Sequence, residues 1–192
     1  MTDATRQYGT NLSHIRRDHV ARYEFAASRI KRANILDAAC GIGYGSRLLH
    51  DAGNVVTGVD IEPEAIEWAR LHFDGPDYLV RDLMHLDLRH QYYDLIVSFE
   101  TLEHLESPVV PLRQFRRSPL LIASVPNERQ FPFDAAKFAG DKYPHKRHYT
   151  PKEFDELLNS AGWEVVERHC QRTKHSDVER GTDGMFLVYV CA

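Results

Sequence analysis

The chain has 192 residues, enough for one domain with a full hydrophobic core and too few for two ordinary ones. A hydrophobic share of 43% and a charged share of 27% are those of a folded globular protein, and a net charge of −4 gives no overall basic field for nucleic acid or anionic membrane. The three cysteines, Cys40, Cys170 and Cys191, make no C-x-x-C pair, which argues against a disulfide framework or a cysteine zinc site. With no apolar run of membrane-spanning length and no apolar signal-peptide core, a cytoplasmic protein is expected.

The elements alternate. Residues 11–31 carry Ile15, His19, Tyr23 and Ala26 at spacings of three or four and predict an amphipathic helix. Residues 35–39 form a short apolar strand that runs into a glycine cluster, and 44–52 read as a helix with Gly53 placed to cap it. The β-branched stretch 55–59 ends at Asp60, and Pro63 opens the next helix, which runs to about Phe73. Strands follow at 78–80 and 93–98, then a helix over 109–117 and a strand over 120–125. Residues 128–149 show no period and read as a long loop of the kind that serves function. Thr150-Pro151-Lys152-Glu153 is a capping box that opens a helix with Phe154, Leu157, Leu158 and Ala161 on its apolar stripe. Segments 163–169 and 185–191 predict two last strands joined by a polar loop, paired antiparallel. Repeated βα units imply an α/β fold: a mostly parallel, Rossmann-like sheet with helices on both faces and ligands at the carboxyl ends of its strands.

Asp37, Asp60, Asp82 and Glu100 each fall at or just past the end of a predicted strand, about one βα unit apart. A parallel sheet therefore brings four carboxylates to one edge. Like charges repel and lose hydration there, so the cluster points to a ligand that is cationic or rich in hydroxyls. The run Asp37-Ala38-Ala39-Cys40-Gly41-Ile42-Gly43-Tyr44-Gly45-Ser46 narrows the ligand. No Gly-Lys-Ser/Thr follows, which excludes a P-loop, and Ser46 stands where a dinucleotide fingerprint wants a small apolar residue. An acid four residues before the first glycine repels a pyrophosphate and attracts an amino group or a sulfonium.

On these residues the chain resembles the class I S-adenosylmethionine-dependent methyltransferases. Residues 36–45 are similar to their first motif, and 55–61 to their second strand with its ribose-binding acid. The resemblance implies a seven-stranded sheet with an antiparallel last strand, in one domain over 1–192. A helical cap spans 1–32, and 128–149 form a substrate loop. It implies that Asp37 holds the methionine amino group, directly or through water. Ala39, Gly41 and Gly43 let the backbone approach the cofactor. Asp60 accepts from both ribose hydroxyls and Ile61 packs on the adenine. Asp82 accepts from the adenine amino group while the Leu83 N–H faces the ring. Phe99 or Glu100 lines the methionine side. Residues 19–26 resemble the N-terminal helix that lies over the cofactor in this group, with His19 and Tyr23 on one face.

The acceptor is narrowed by absences and by two segments. Ser98-Phe99-Glu100-Thr101 is not the Asn/Asp-Pro-Pro-aromatic signature of amino-group DNA methyltransferases, and no Pro-Cys nucleophile pair occurs. Glu100-Thr101-Leu102-Glu103-His104-Leu105 resembles the E-x-x-E-H segment of ubiquinone-type O-methyltransferases. Residues 124–127 with 144–150 resemble the loop of methyltransferases acting on sugars, lipids and quinones. A small-molecule hydroxyl acceptor is expected, with nucleic acid not expected as a partner. His148 is the candidate general base, with His145 and His104 beside it, since imidazole titrates near neutral pH. The same E-x-x-E-H segment resembles that of metal-dependent RNA 2′-O-methyltransferases, which implies a divalent cation on Glu100, Glu103, His104 and His148. Three other outcomes stay open at this level: N-methylation of an amino sugar or amine, RNA 2′-O-methylation, and S-adenosylmethionine binding without catalysis.

Overall fold

Parallel pairing follows from the alternation of short apolar strands with helices, and it decides where every strand ends. The computed structural model describes residues 12–192. A 3-10 turn, Leu12–His14, precedes α1 (Arg17–Arg29). Then come β1 (Asn34–Ala38), α2 (Tyr44–Asp51), β2 (Val55–Asp60), α3 (Pro63–His72), β3 (Asp77–Val80), β4 (Leu95–Phe99), α4 (Val109–Phe115) and β5 (Leu121–Pro126). The chain closes with α5 (Ala135–Phe138), α6 (Pro151–Ser160), β6 (Val165–Gln171), β7 (Glu179–Arg180) and β8 (Phe186–Cys191). The sheet order is β3-β2-β1-β4-β5-β8-β6-β7. Strands β1 to β5 pair in parallel, and β8 slots antiparallel between β5 and β6.

The expected class holds, with eight strands where seven were expected. The extra one is β7, two residues that pair His169 with Arg180 and Cys170 with Glu179. It falls in the stretch whose polarity reads as a plain loop. The periodless segment before α6 likewise contains the one-turn helix α5, started by the Asp134 side chain accepting from the Ala136 N–H at 3.1 Å.

Strands β4, β5 and β8 are buried along their whole length because helices cover both faces, so they read as continuous apolar runs rather than alternating ones. On one face α4 and α6 pack Leu112, Phe115, Phe154 and Leu158 against Tyr189, with the Trp163 indole donating to the Leu112 carbonyl at 2.9 Å. On the other, Tyr23 and Ala26 of α1 and Leu49 of α2 cover Ile35, Val97 and Val188. No helix among the described residues is long and apolar enough to cross a membrane.

The segment 128–149 arches over the carboxyl edge of the sheet and returns to it. Asn127 and Tyr149 form a bridge, and the Asn127 amide donates to the carbonyls of Thr182 and Gly184. The return is set by the start of α6, where Thr150 Oγ1 accepts from the Glu153 N–H and Glu153 accepts from the Thr150 N–H at 2.8 Å. Thr150→Ala removes the side-chain half of this box. It is expected to cost about 1 kcal/mol of unfolding free energy, read as a lower urea midpoint at unchanged slope.

Candidate active site

The chain turns sharply where β1 ends. Ala39 (φ 71°), Gly41 (φ 56°) and Gly43 (φ 89°) all lie in the left-handed region. For Ala39 that conformation is strained, and two bonds hold it: the N–H groups of Ala39 and Cys40 both donate to the Val59 carbonyl at 2.9 Å. The loop is thereby laid across the end of β2. Asp60 completes the join, its Oδ2 accepting from the Gly41 N–H at 2.8 Å and its Oδ1 from the Glu62 N–H at 2.9 Å. A side chain at Gly41 would meet nothing within 4 Å, so the backbone there borders open space.

That space is a cavity of about 560 Å³. Ala39, Gly41, Asp60, Ile61, Asp82 and Leu83 line one end, and Tyr23, Phe99 and Glu100 line the middle. His104, Leu105, Phe131, Phe138, Tyr143 and His145 enclose the other end, and Arg16, Arg22, Lys174 and Phe186 close one side. Most residues expected to contact a cofactor therefore share one cleft. Two do not line it. Asp37 is fully buried beneath the floor, where Oδ1 accepts from the Tyr23 hydroxyl at 3.2 Å and Oδ2 from Ser46 at 2.6 Å. Its oxygens are turned to α1 and α2, away from any amino group in the cleft. Gly43 serves packing: a Cβ there would strike Ala69 at 2.6 Å and the Tyr78 ring at 2.9 Å, and its carbonyl accepts from the Tyr78 hydroxyl at 3.0 Å.

Glu100 also carries a left-handed backbone (φ 50°). Its N–H donates to the Ser124 carbonyl and hydroxyl oxygen, both at 3.1 Å, and its Oε1 accepts from the Ser124 hydroxyl at 2.8 Å. Burial raises the Glu100 pKa, and the Arg22 guanidinium works against that rise. Arg22 is the main polar residue that the sequence left unmarked. It is 1% exposed, its Nη1 donates to Gln171 at 2.7 Å, and its Nη2 has no hydrogen-bond partner. Gln171 lies far along the chain, so only the folded β6 reveals why an arginine is buried on α1. Phe131, Phe138 and Phe186 were missed as well, since isolated aromatics in a loop or strand carry no signal of their own.

The histidines are ordered by carbonyl oxygens, which only accept. His148 Nδ1 donates to the Phe131 carbonyl at 2.6 Å, so its Nε2 is bare and accepts from His145 Nδ1 at 2.9 Å. His145 Nε2 is then bare too. His104 Nδ1 donates to the Tyr143 carbonyl at 2.7 Å. Burial lowers the His145 pKa to about 3, with His104 and His148 adding to the effect, and burial lowers that of His148 as well. His148, the expected base, thus stands behind His145 and does not line the cleft.

The four ligands implied for a cation do not converge. Glu100 is turned to Ser124, and the Nε2 of His148 is occupied by His145. Glu103, His104 and His145 do converge, with one ligand atom of each within 4.8 Å of the others.

The cleft fits S-adenosylmethionine. An Asp60 oxygen that takes one backbone N–H can still accept from a hydroxyl, so the carboxylate suits a vicinal diol such as ribose. Ile61 and Leu83 bring apolar side chains to the cavity, and Asp60, Asp82 and Glu100 line it with carboxylates. Residues 36–118 match the family described as "Methyltransferase domain". A "Probable S-adenosylmethionine-dependent methyltransferase" of Mycolicibacterium smegmatis is 29% identical over 78% of this chain and 59% of its own length. A ubiquinone biosynthesis O-methyltransferase of Hydrogenovibrio crunogenus is 26% identical over 69% of this chain and 63% of its own. The chain thus spans about six-tenths of the length of these curated relatives. Among solved structures, the N-methyltransferase NodS of Bradyrhizobium japonicum, in complex with S-adenosylhomocysteine, superposes with a TM-score of 0.66 at 18% identity, over 90% of this chain and 84% of that one. In fold, cleft and sequence this chain is similar to the class I S-adenosylmethionine-dependent methyltransferases.

Burial lifts the Asp37 pKa from 3.8 to about 7, against the pull of the Ser46 and Tyr23 hydroxyls. A raised pKa means the folded state holds this proton longer than the unfolded chain does. The associated stability is present in full below about pH 4 and is lost as pH rises towards 7, at about 1.4 kcal/mol per unit. Asp37→Asn is expected to flatten that part of the pH profile, so the variant gains on the wild type between pH 4 and 7 in urea unfolding.

Proposed function

We propose that this protein transfers the methyl group of S-adenosylmethionine to a hydroxyl oxygen of a small molecule. The observation that carries the reading is the two-ended cleft: nucleoside-fitting groups at Asp60, Ile61, Asp82 and Leu83, and at the other end an aromatic chamber into which the His145 ring is set. The cofactor supplies a methyl group already activated on a sulfonium, so much of the task is alignment. Asp60 holds the ribose and Glu100 faces the methionine portion. The Arg22 guanidinium is the cation nearest to hand for the methionine carboxylate. Tyr23, pinned by Asp37, and Phe99 pack edge to face at 5.0 Å and wall the middle of the cleft. Helix α1 is the cap, and 128–149 form the loop that shapes the acceptor chamber.

In that chamber Phe138 stacks on His145 at 4.0 Å, and Phe131 stands 6.5 Å from Phe186. These rings suit a flat or apolar acceptor. The His145 Nε2 lone pair accepts a hydrogen bond from its hydroxyl and turns the oxygen towards the methyl group. The curated ubiquinone relative is named for the same kind of transfer.

Calorimetric titration with S-adenosylhomocysteine tests the first half. Asp60→Ala is expected to weaken binding by about 10- to 100-fold, the cost of hydrogen bonds to a charged group. Unchanged affinity would overturn the cofactor placement. Transfer of labelled methyl to a panel of catechols, sugars and amines tests the second half; label that enters only amines would replace oxygen by nitrogen as the acceptor.

A further inference from the structure

One wall of the cleft carries more positive charge than the fold neutralises. Arg16, Arg22 and Lys174 close that side. Arg16 is held by Asp18, to which its Nε donates at 3.0 Å. The Arg22 Nη2 lies 3.8 Å from the same carboxylate, buried and without a hydrogen-bond partner. The Lys174 ammonium has no acid in ion-pair reach among the described residues, and stands 5.9 Å from the centre of the Phe131 ring. All three cations bear on His19: burial first, then their charges, lower its pKa well below the usual imidazole range, so it stays neutral beside them.

Arg22 and Lys174 are set apart along the cleft. Arg22 stands in the middle, its Nη1 3.9 Å from Glu100 Oε1 and its guanidinium 5.2 Å from the centre of the Phe186 ring. Lys174 stands at the acceptor end, over Phe131, and the Phe131 and Phe186 rings meet edge to face at 6.5 Å between the two charges. The backbone that carries Lys174 is tied down. The Asp18 N–H donates to the Lys174 carbonyl at 3.4 Å, and Gln171 Nε2 donates to the carbonyls of Asp18 at 2.9 Å and Ser176 at 3.1 Å. The Thr173 N–H donates to the Ser176 hydroxyl at 3.0 Å and closes the turn. A cation held in this way beside aromatic rings, with no acid of its own, complements an anion.

We infer that the acceptor is an anion: a hydroxylated aromatic acid whose carboxylate pairs with Lys174 while its ring lies among the phenylalanines of the chamber. The inference rests on the methyl-transfer reading and names its acceptor class. Two cations without a close acid partner match two carboxylates. Arg22, in the middle of the cleft, meets that of the methionine portion, which leaves Lys174 for that of the acceptor. A single ammonium matches a single negative charge, so a carboxylate suits it better than a phosphate. Lysine holds that group as a point charge and sets no bidentate geometry, so it selects by charge and leaves orientation to the rings. The methyl group goes to the hydroxyl, away from the carboxylate. The O–CH₃ bond forms as the S–CH₃ bond breaks, the electron pair of that bond stays on sulfur, and the hydroxyl proton leaves to water.

Transfer of labelled methyl to protocatechuate and to its neutral amide tests the inference, since the two share the catechol and differ in charge. Lys174→Met is expected to lower the acid-to-amide ratio of kcat/KM about fivefold, the upper range for an ion pair near solvent. Lys174→Arg should keep the wild-type ratio, and Lys174→Glu should turn the preference to the matching benzylamine. A ratio that Lys174→Met and Lys174→Glu both leave unchanged overturns the inference. Label that mild alkali releases marks an ester at the carboxylate itself, and overturns the placing of that group at Lys174. Calorimetry separates this inference from the reading beneath it. Protocatechuate titrated into the S-adenosylhomocysteine complex should bind the wild type about fivefold more tightly than Lys174→Met. That difference without label on oxygen keeps the anion site and removes the transfer to a hydroxyl. Label on oxygen without that difference keeps the transfer and removes the anion site. No binding of protocatechuate to the wild-type complex at millimolar concentration also overturns the inference.

Discussion

The buried carboxylate of Asp37 ties three elements at one point. It sits on β1, accepts from Tyr23 of α1 through one oxygen and from Ser46 of α2 through the other, and reaches no solvent. Helix α1 comes before the first strand and has no βα crossover to place it, so side-chain bonds of this kind must hold it on the sheet. The approach is close enough that Gly45 is needed on α2: a Cβ there would overlap the Tyr23 ring at 2.0 Å. Tyr23 in turn sets the wall against Phe99 and Tyr44.

The other strand-end acids owe their common edge to parallel pairing. Each βα unit returns the chain to the same side of the sheet, so Asp60, Asp82 and Glu100 meet although they are far apart in sequence. Their oxygens are then spent differently. Asp60 braces the glycine loop, Asp82 accepts from the Met84 N–H to start a 3-10 turn, and Glu100 trades bonds with Ser124. Each acid is both a support for the backbone and a face of the cleft.

The sheet, its order of βα units and the gathering of Asp60, Asp82 and Glu100 in one cleft were legible because they rest on local signals: apolar strands, a glycine run, acids at strand ends. Asp37 was legible as the acid at the end of a strand, but its bonds to the Tyr23 and Ser46 hydroxyls were not, since both come from helices packed on the folded sheet. His145 and His148 are three residues apart in a segment with no period. Which one faces the cleft is decided by the Phe131 carbonyl, 17 residues upstream, and no sequence pattern encodes that contact. Glu100 and Glu103 were inseparable for the same reason; the Ser124 hydroxyl on the neighbouring strand claims one and leaves the other. Arg22 was passed over because an arginine on an amphipathic helix ordinarily faces water.

Tyr143 touches both ends of the cleft. Its carbonyl orients His104, while its hydroxyl donates at 3.3 Å to Glu62, the residue next but one to Asp60, whose carboxylate also accepts from the Lys142 ammonium at 2.5 Å. One residue of the arch is thereby tied both to the turn after β2 and to the turn after β4, so a change at either contact is felt at the other end of the cleft.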